Sequence, residues 1–244
     1  MSRYGRSTVK WFILSSVLAA VCAGGVLLGR RVLQESRDAQ AIACLAHIGA
    51  ALQSYHEVYG SFPPAYLADK NGKPMHSWRV LLLPYLGYDE LYERYDFSEP
   101  WDGPKNRALA DEVCDIYGSA RDLHGGGTLT RFLAVVGPGT AWPGERSVRR
   151  EDFADGLSQT ILLLDCVESD VKWTEPRDLT YSDALACEDT GDTLRITRVR
   201  PQGIHFLDAA GAIRTLPKGL SRDVLKGLLT INGRDKIDWD GYSN

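Results

Sequence analysis

The feature that most constrains this chain is an uncharged apolar run near its N-terminus. Residues 11–28 read WFILSSVLAAVCAGGVLL, and basic side chains flank the run on both sides. A helix of this length rises roughly 27 Å, close to the thickness of the hydrocarbon core of a bilayer. Trp11 stands at one edge, where aromatic side chains meet the membrane interface. We therefore expect a single transmembrane helix at residues 11–28.

A cleaved signal peptide is the alternative interpretation of the same run. Val21-Cys22-Ala23 is a poor small-residue cleavage site, and the apolar run continues past it to Leu28, which favours a retained anchor. Basic residues are equally frequent on the two sides, so charge does not decide the orientation. The simpler topology keeps the short N-terminal tail inside and places the C-terminal domain outside the cytoplasmic membrane, in the periplasm.

A helical pattern continues beyond the apolar run. Apolar residues recur every three or four positions, and no proline occurs before Pro63. Gly60 is suited to cap the helix, and Pro63-Pro64 excludes a continuation. The apolar stripe consists of Ile42, Leu45, Ile48, Leu52, Tyr55 and Tyr59. We expect it to pack on a globular domain, which buries Tyr55 and Tyr59 and leaves His56 and Glu57 more exposed.

The remaining sequence alternates between short helical and short strand patterns. Helices are expected after the capping residues Ser77, Asp89 and Ser221 and from Pro104 onwards, and a turn is expected at Asn71-Gly72. Strands are expected at residues 131–136, 160–167, 194–200, 204–208 and 212–216. No helix-sized segment separates the last three strands, so they should pair antiparallel.

These patterns predict an α+β fold, in which a long N-terminal membrane-stalk helix packs on an antiparallel sheet with short helices. The expected division is a tail and anchor at residues 1–30, a stalk helix at residues 31–60 and a globular domain at residues 61–244. The whole chain carries a formal net charge of −4. That charge argues against a nucleic-acid partner, because phosphate binding needs a basic face.

Several motifs together carry a family resemblance. They are CLAHIGAALQSYHEVYGSFPPAY (44–66), GKPMHSWRVLLLPYL (72–86), YDFSEPWDGPKN (95–106), FLAVVGPGTAWPG (132–144), FADGLSQTILLLDCVES (153–169), WTEPRDL (173–179) and LLTINGRDKI (228–237). The chain resembles the domain of unknown function 1559 family of pilin-like and pseudopilin-like proteins. The resemblance implies a structural or assembly component of the envelope or of a secretion-like system. The glycine and glutamate of pilin leaders are missing from residues 7–16.

Tryptophans beside carboxylates suggest an alternative function, because sugar-binding clefts combine the two. The candidate ligand-binding residues are Trp101, Asp102, Trp142, Trp173 and Glu175. A structural role is the competing interpretation, in which the rings are scattered and covered while the acids cap helices or pair with arginines such as Arg79 and Arg177. The sequence contains no nucleophile–base pair, metal-ligand set or cofactor motif that withstands inspection, so no enzyme, metal or cofactor is expected.

The cysteines leave two possibilities open. Cys44, Cys114, Cys166 and Cys187 could form disulfides in an extracytoplasmic domain, or they could be small buried side chains. Their spacing does not pair them. No C-x-x-C motif occurs, which excludes zinc ribbons and thioredoxin-type redox sites.

Overall fold

A computed structural model describes residues 5–118, 128–166, 169–186, 203–216 and 220–233, with the surroundings of side chains given from residue 22 onwards. The chain divides into two compact units, Met1–Ala41 and Ile42–Asn244. The first unit consists of the beginning of a long helix. The second unit is an α+β domain, which confirms the α+β part of the expected fold class.

Helix α1 spans Gly5–Tyr59. It ends as the sequence predicts, because Gly60 adopts a φ of 72° and its N–H donates to the carbonyl of His56 over 2.8 Å. Across the part of the chain that the structure describes, no helix combines the length and apolarity needed to cross a membrane. Residues 11–21 of the expected anchor lie outside the residues with described side chains, so the anchor stays a prediction.

The domain-facing stripe of α1 is confirmed in its centre and wrong at its ends. Leu45, Ile48 and Leu52 are completely buried, whereas Ile42 and Tyr59 are 39% and 62% exposed. Tyr59 lies in the last turn of α1, at the edge of the core, where most of its side chain remains exposed. In the middle of the stripe, Gly49 lets the helix approach the sheet. A Cβ there would lie 2.9 Å from Cδ1 of Leu207.

The central sheet has five described strands in the order β5-β3-β4-β6-β7. Their bounds are β3 Phe132–Val136, β4 Ile161–Asp165, β5 Leu179–Thr180, β6 Ile204–Asp208 and β7 Ile213–Leu216. The pairs β3–β4, β4–β6 and β6–β7 are antiparallel, as expected, but β5 runs parallel to β3. The sheet is therefore mixed and not purely antiparallel. The strand expected at residues 194–200 lies outside the described residues.

Strand side chains alternate between two apolar clusters. On one face, Ala134, Leu163 and Leu207 pack with the buried stripe of α1. On the other face, Leu133, Leu164 and Phe206 pack with the C-terminal helix. The period of two along each strand therefore sends successive side chains to opposite cores, which explains why β4 reads as a continuous apolar run.

A separate hairpin joins β1, Tyr66–Ala68, to β2, Pro74–Ser77. Its turn is the expected one, with Gly72 at a φ of 79°. The carboxylate of Asp69 accepts the backbone N–H groups of Asn71 and Lys73. The sequence predicts this turn but not its strands, which are too short to carry a period-two pattern.

Short helices complete the domain. Their bounds are α2 Trp78–Leu81, followed by a 3-10 turn at Leu83–Leu86, α3 Asp89–Arg94, α4 Pro104–Ala110, α5 Tyr181–Ala186 and α6 Arg222–Leu229. The hydroxyls of Ser77 and Ser221 cap α2 and α6 as predicted. The Asp89 cap is wrong, because the N-cap is Tyr88 and Asp89 is the first helical residue. Helix α5 was not predicted.

Candidate functional site

A buried ion pair joins Arg79 on α2 to Asp178, the residue before β5. Arg79 and Asp178 have side chains 0% and 2% exposed. Asp178 also accepts the indole N–H of Trp78 over 3.1 Å and the backbone N–H of Ala134 over 2.8 Å. Burial raises the pKa of the Asp178 carboxyl, and the Arg79 charge with these hydrogen bonds opposes that rise.

The remaining donors of Arg79 are also engaged. Its Nη2 atom donates to the carbonyl of Phe132 over 3.0 Å, and its Nη1 atom donates to the hydroxyl of Ser77 over 3.0 Å. The guanidinium therefore connects α2 to β3 and to the segment that enters β5. We interpret the pair as a structural connection, since its polar atoms are occupied by the protein itself.

A second buried pair joins two neighbouring strands. Arg131 donates from Nε and Nη2 to the two carboxylate oxygens of Asp165 over 2.5 and 2.7 Å. Both side chains are almost completely covered, at 4% and 1% exposure. Phe132, the neighbour of Arg131, pairs with Asp165 between β3 and β4, so this bidentate salt bridge stabilises the register of the two strands.

The motif YDFSEPWDGPKN is organised around Asn106. The amide of this buried residue donates to the carbonyls of Asp96, Glu99 and Pro100, and its oxygen accepts the N–H of Asp96. The Glu99 carboxylate in turn accepts the N–H groups of Lys105 and Asn106 at the start of α4. Glu99 thus caps a helix, as the structural interpretation of the sequence expects for the acids of this motif.

The three candidate tryptophans do not share a surface. Trp142 and Trp173 are buried, with exposures of 1% and 0%, and their indole N–H groups donate to the carbonyls of Leu162 and Glu112. Trp101 is half-buried. Two of the three rings therefore lie inside the core and present no face to a ligand.

The two candidate carboxylates, Glu175 and Asp102, lie in different surroundings: one forms a salt bridge and the other is exposed. Glu175 accepts from Nε of Arg177 over 2.6 Å and from the backbone N–H of Lys172. Asp102 is exposed beside the start of α4. The pairing of Glu175 with Arg177 agrees with the structural interpretation of the sequence. Arg79 instead pairs with Asp178, a residue that no sequence motif indicated.

The described cysteines of the domain are mostly covered, and Cys44 and Cys114 are free thiols. Cys114 and Cys166 are buried and Cys44 is half-buried, while Cys187 lies outside the described residues. Burial raises the pKa of Cys114 to about 12 and raises that of Cys44, so both stay protonated and unreactive at neutral pH. Among the residues with described placement, no group of three or more potential ligands is arranged to hold a metal ion.

His56 packs against an aromatic side chain near the end of α1. Its ring packs on Phe62 at 5.0 Å between centroids, and within the described residues its Nε2 atom is buried without a hydrogen-bond partner. Burial, followed by the charge of Arg150, lowers its pKa. The expected exposure holds for Glu57, which is exposed, but it is wrong for His56, which is half-buried, and for Tyr59, which is exposed.

His76 is the second histidine held neutral. It lies 4% exposed on β2, with Nδ1 3.0 Å from the hydroxyl of Tyr95 and its ring 5.1 Å from that of Phe97. Burial lowers its pKa. A histidine with a lowered folded-state pKa gives its full stabilisation above the unfolded value of about 6.5 and loses it as the pH falls below that value.

We therefore expect the chain to lose thermal stability on acidification from about pH 7.5 to about pH 5, in part through His76. The variant His76→Gln keeps a hydrogen-bonding side chain but does not titrate. Its loss of Tm across this range should be smaller than that of the unmodified protein, measured by circular dichroism. Equal losses in the two proteins would contradict a neutral His76.

The exposed end of α1 carries a connected set of aromatic rings. The rings of Tyr55 and Tyr59 have centroids 4.4 Å apart, and those of Tyr55 and Tyr85 are 5.8 Å apart. Burial, followed by the nearby Tyr59, raises the pKa of Tyr85 and also that of Tyr92 on α3. We call these four tyrosines, together with Val58, the tyrosine surface.

The tyrosine surface is open to solvent at the helix end. Tyr59 and Val58 are 62% and 65% exposed, whereas Tyr55 is half-buried. Burial, followed by the neighbouring tyrosines, raises the pKa of Tyr55 to about 12, so its hydroxyl stays neutral. Tyr59 is thus an exposed aromatic residue bordered by half-buried tyrosines, and tyrosine is enriched where proteins meet.

The sequence pattern indicates two of the four tyrosines of this surface. The stripe of α1 predicts Tyr55 and Tyr59, but Tyr85 and Tyr92 lie in segments interpreted only as short helices. The spacing of seven residues between Tyr85 and Tyr92, with Tyr88 between them, is the sequence pattern that could have indicated them. It places Tyr85 and Tyr92 on successive short elements that meet the end of α1.

Because Tyr59 is largely exposed, truncating its side chain should cost little folding free energy. Tyr59→Ala should lower the free energy of unfolding by less than about 1 kcal/mol, since most of the ring is already in water. The matched truncation Leu52→Ala, two helical turns earlier in the same stripe, should cost about 2–5 kcal/mol. Urea unfolding measures both. Equal costs would mean that Tyr59 is covered.

Comparison with known proteins gives one match. Residues 34–123 match a family model described as a protein of unknown function (DUF1559). The matched segment contains most of the packed half of α1, the hairpin, the Asn106 motif and the whole tyrosine surface. No curated protein matches the chain, and no solved structure matches it.

Proposed function

We propose that this chain, whose residues 34–123 match the DUF1559 family model, is a non-enzymatic, membrane-anchored structural or assembly subunit. The residues 11–28 serve as the anchor, and the domain lies outside the cytoplasmic membrane in a pilin-like arrangement. Its partners are other envelope or secretion-type assembly proteins, and the tyrosine surface is where the domain meets them.

The observation that carries this proposal is the exposed tyrosine surface inside the matched family segment. Tyr59 and Val58 remain open where the rest of the stripe is buried. Their exposure costs stability that a partner would restore by covering the apolar surface. Tyrosine also suits such a contact, because its ring is apolar and rigid while its hydroxyl tolerates water.

The fate of the buried polar groups adds support. Arg79 with Asp178, Arg131 with Asp165, and Asn106 each hold separate elements of the fold together. Residues with this use are engaged in architecture and are not poised for proton transfer or nucleophilic attack. The same holds for Cys114, whose thiol is protonated by burial.

The proposal is tested by fractionating cells that produce the full chain and treating intact spheroplasts with protease. We expect the chain in the membrane fraction and its domain to be digested from outside. Chemical crosslinking before solubilisation should then retain further envelope proteins with the wild-type chain and fewer with Tyr59→Ala. A chain that is protected in the cytosol, or that retains the same proteins after Tyr59→Ala, would contradict the proposal.

A further inference from the structure

The tyrosine surface has an acidic edge. Helix α3 carries Tyr92 and also the exposed residues Asp89, Glu90 and Glu93. Asp89 precedes Tyr92 by three positions, so the two side chains lie on the same side of α3. None of the three acids forms a salt bridge within the described residues. The surface therefore offers aromatic faces bordered by negative charge, which suits a lysine- or arginine-bearing partner.

A surface of the opposite charge lies on the same domain. The β1–β2 turn presents Lys70 and Lys73, both exposed and neither joined in a salt bridge among the described residues. The one acid in the turn, Asp69, uses its carboxylate on the N–H groups of Asn71 and Lys73 and is held ionised by them. The turn is thus a compact, preorganised segment that carries two ammonium groups on either side of Asn71-Gly72.

We propose that the tyrosine surface of one copy of this chain binds the β1–β2 turn of a second copy. The ammonium groups of Lys70 and Lys73 lie against the tyrosine rings and pair with Asp89 and Glu93. This inference names the partner at the surface on which the proposed function rests. The two sides of the contact are different surfaces. In a pair, one copy therefore keeps its β1–β2 turn free and the other keeps its tyrosine surface free, so the contact can repeat from copy to copy.

The energetics fit an assembly confined to a membrane. A lysine over an exposed aromatic ring contributes about 0.5–1 kcal/mol, and an exposed ion pair contributes about 0.2–1 kcal/mol. Such a contact is weak in dilute solution. Anchored copies meet at a much higher effective concentration, which makes a weak contact sufficient. The full chain in its membrane is therefore the system in which the contact is measured.

The test uses two differently tagged full-length copies in the same membrane. One copy carries the photo-crosslinker p-benzoylphenylalanine in place of Tyr59, and the other is unmodified. We expect an adduct between the two copies that maps by mass spectrometry to the peptide containing Lys70 and Lys73. Lys70→Glu with Lys73→Glu in the second copy should lower its yield about tenfold, which corresponds to a loss of about 1.4 kcal/mol.

A charge exchange separates a direct contact from a loss of folding. Asp89→Lys with Glu93→Lys in the photo-crosslinking copy should restore the adduct with the lysine-reversed copy. Circular dichroism of each variant checks the fold. Self-association through these surfaces is overturned if the adduct maps elsewhere, if the exchange does not restore it, or if Tyr59 crosslinks only to a different protein. In that last case the proposed assembly role still holds. If the chain is absent from the membrane fraction, the proposed function itself is contradicted.

Discussion

Replacing Asp178 by alanine is expected to lower the free energy of unfolding by about 3–5 kcal/mol, because it leaves the Arg79 guanidinium buried without its counter-charge. The same change removes the acceptor for the N–H groups of Trp78 and Ala134. Urea unfolding followed by fluorescence measures the loss. Few other single substitutions in this domain should cost as much, since Asp178 serves three elements at once.

Two controls identify the mechanism of that loss. The double variant Arg79→Met with Asp178→Leu removes both charges and should be markedly more stable than Asp178→Ala. Asp170→Ala removes an ion pair with Arg177 in which both side chains are about half exposed, and it should cost less than about 1 kcal/mol. A cost for Asp178→Ala as small as that of Asp170→Ala would show that the buried pair does not hold the fold.

The second large effect is expected for Trp142→Ala, at about 3–5 kcal/mol. The ring packs 5.3 Å from that of Trp78 between centroids and donates from Nε1 to the carbonyl of Leu162 over 2.8 Å. The truncation opens a cavity and leaves that carbonyl without its partner. The change in Tm followed by circular dichroism gives the size of the effect.

Trp101→Ala provides the comparison, because this ring is half-buried and its loss should cost less than that of Trp142. The pair of variants also bears on carbohydrate binding. A ring in the core cannot be lost without a fall in Tm. If Trp142→Ala removed binding to a glycan array and left the Tm unchanged, Trp142 would be a surface residue, in contradiction to its buried position.

Features set by neighbouring residues could be predicted from the sequence. The three-and-four spacing of Leu45, Ile48 and Leu52 is sufficient to place one face of α1 in the core. Gly60 ends the helix because a left-handed conformation there needs no Cβ. Strands β3, β4, β6 and β7 also follow from local runs, because each is bounded by residues that favour turns.

Features set by distant residues could not be predicted in the same way. Asp178 follows Arg79 by 99 positions, and nothing in the local sequence pairs them. Strand β5 has only two residues, too few for a pattern, and its parallel pairing depends on the docking of the preceding segment. Tyr59 fits the stripe by its spacing, but its exposure depends on where the core ends, which periodicity does not describe.

The proposed function depends on the tyrosine surface, whose position is set by the fold. It forms where the last turn of α1 passes the edge of the core and α3 brings Tyr92 alongside. If it serves assembly, Tyr59 is covered in the cell and open in the isolated chain. The same side chain therefore reports directly on the central claim.

Hydroxyl-radical footprinting of Tyr59, in intact membranes and after solubilisation in detergent, tests that claim most directly. Val113 provides the internal reference, because it is 49% exposed and lies outside the tyrosine surface. The account predicts that Tyr59 and Val58 are protected in membranes and become reactive on solubilisation, while Val113 changes little. Equal labelling of Tyr59 in both states would contradict an assembly surface at the end of α1.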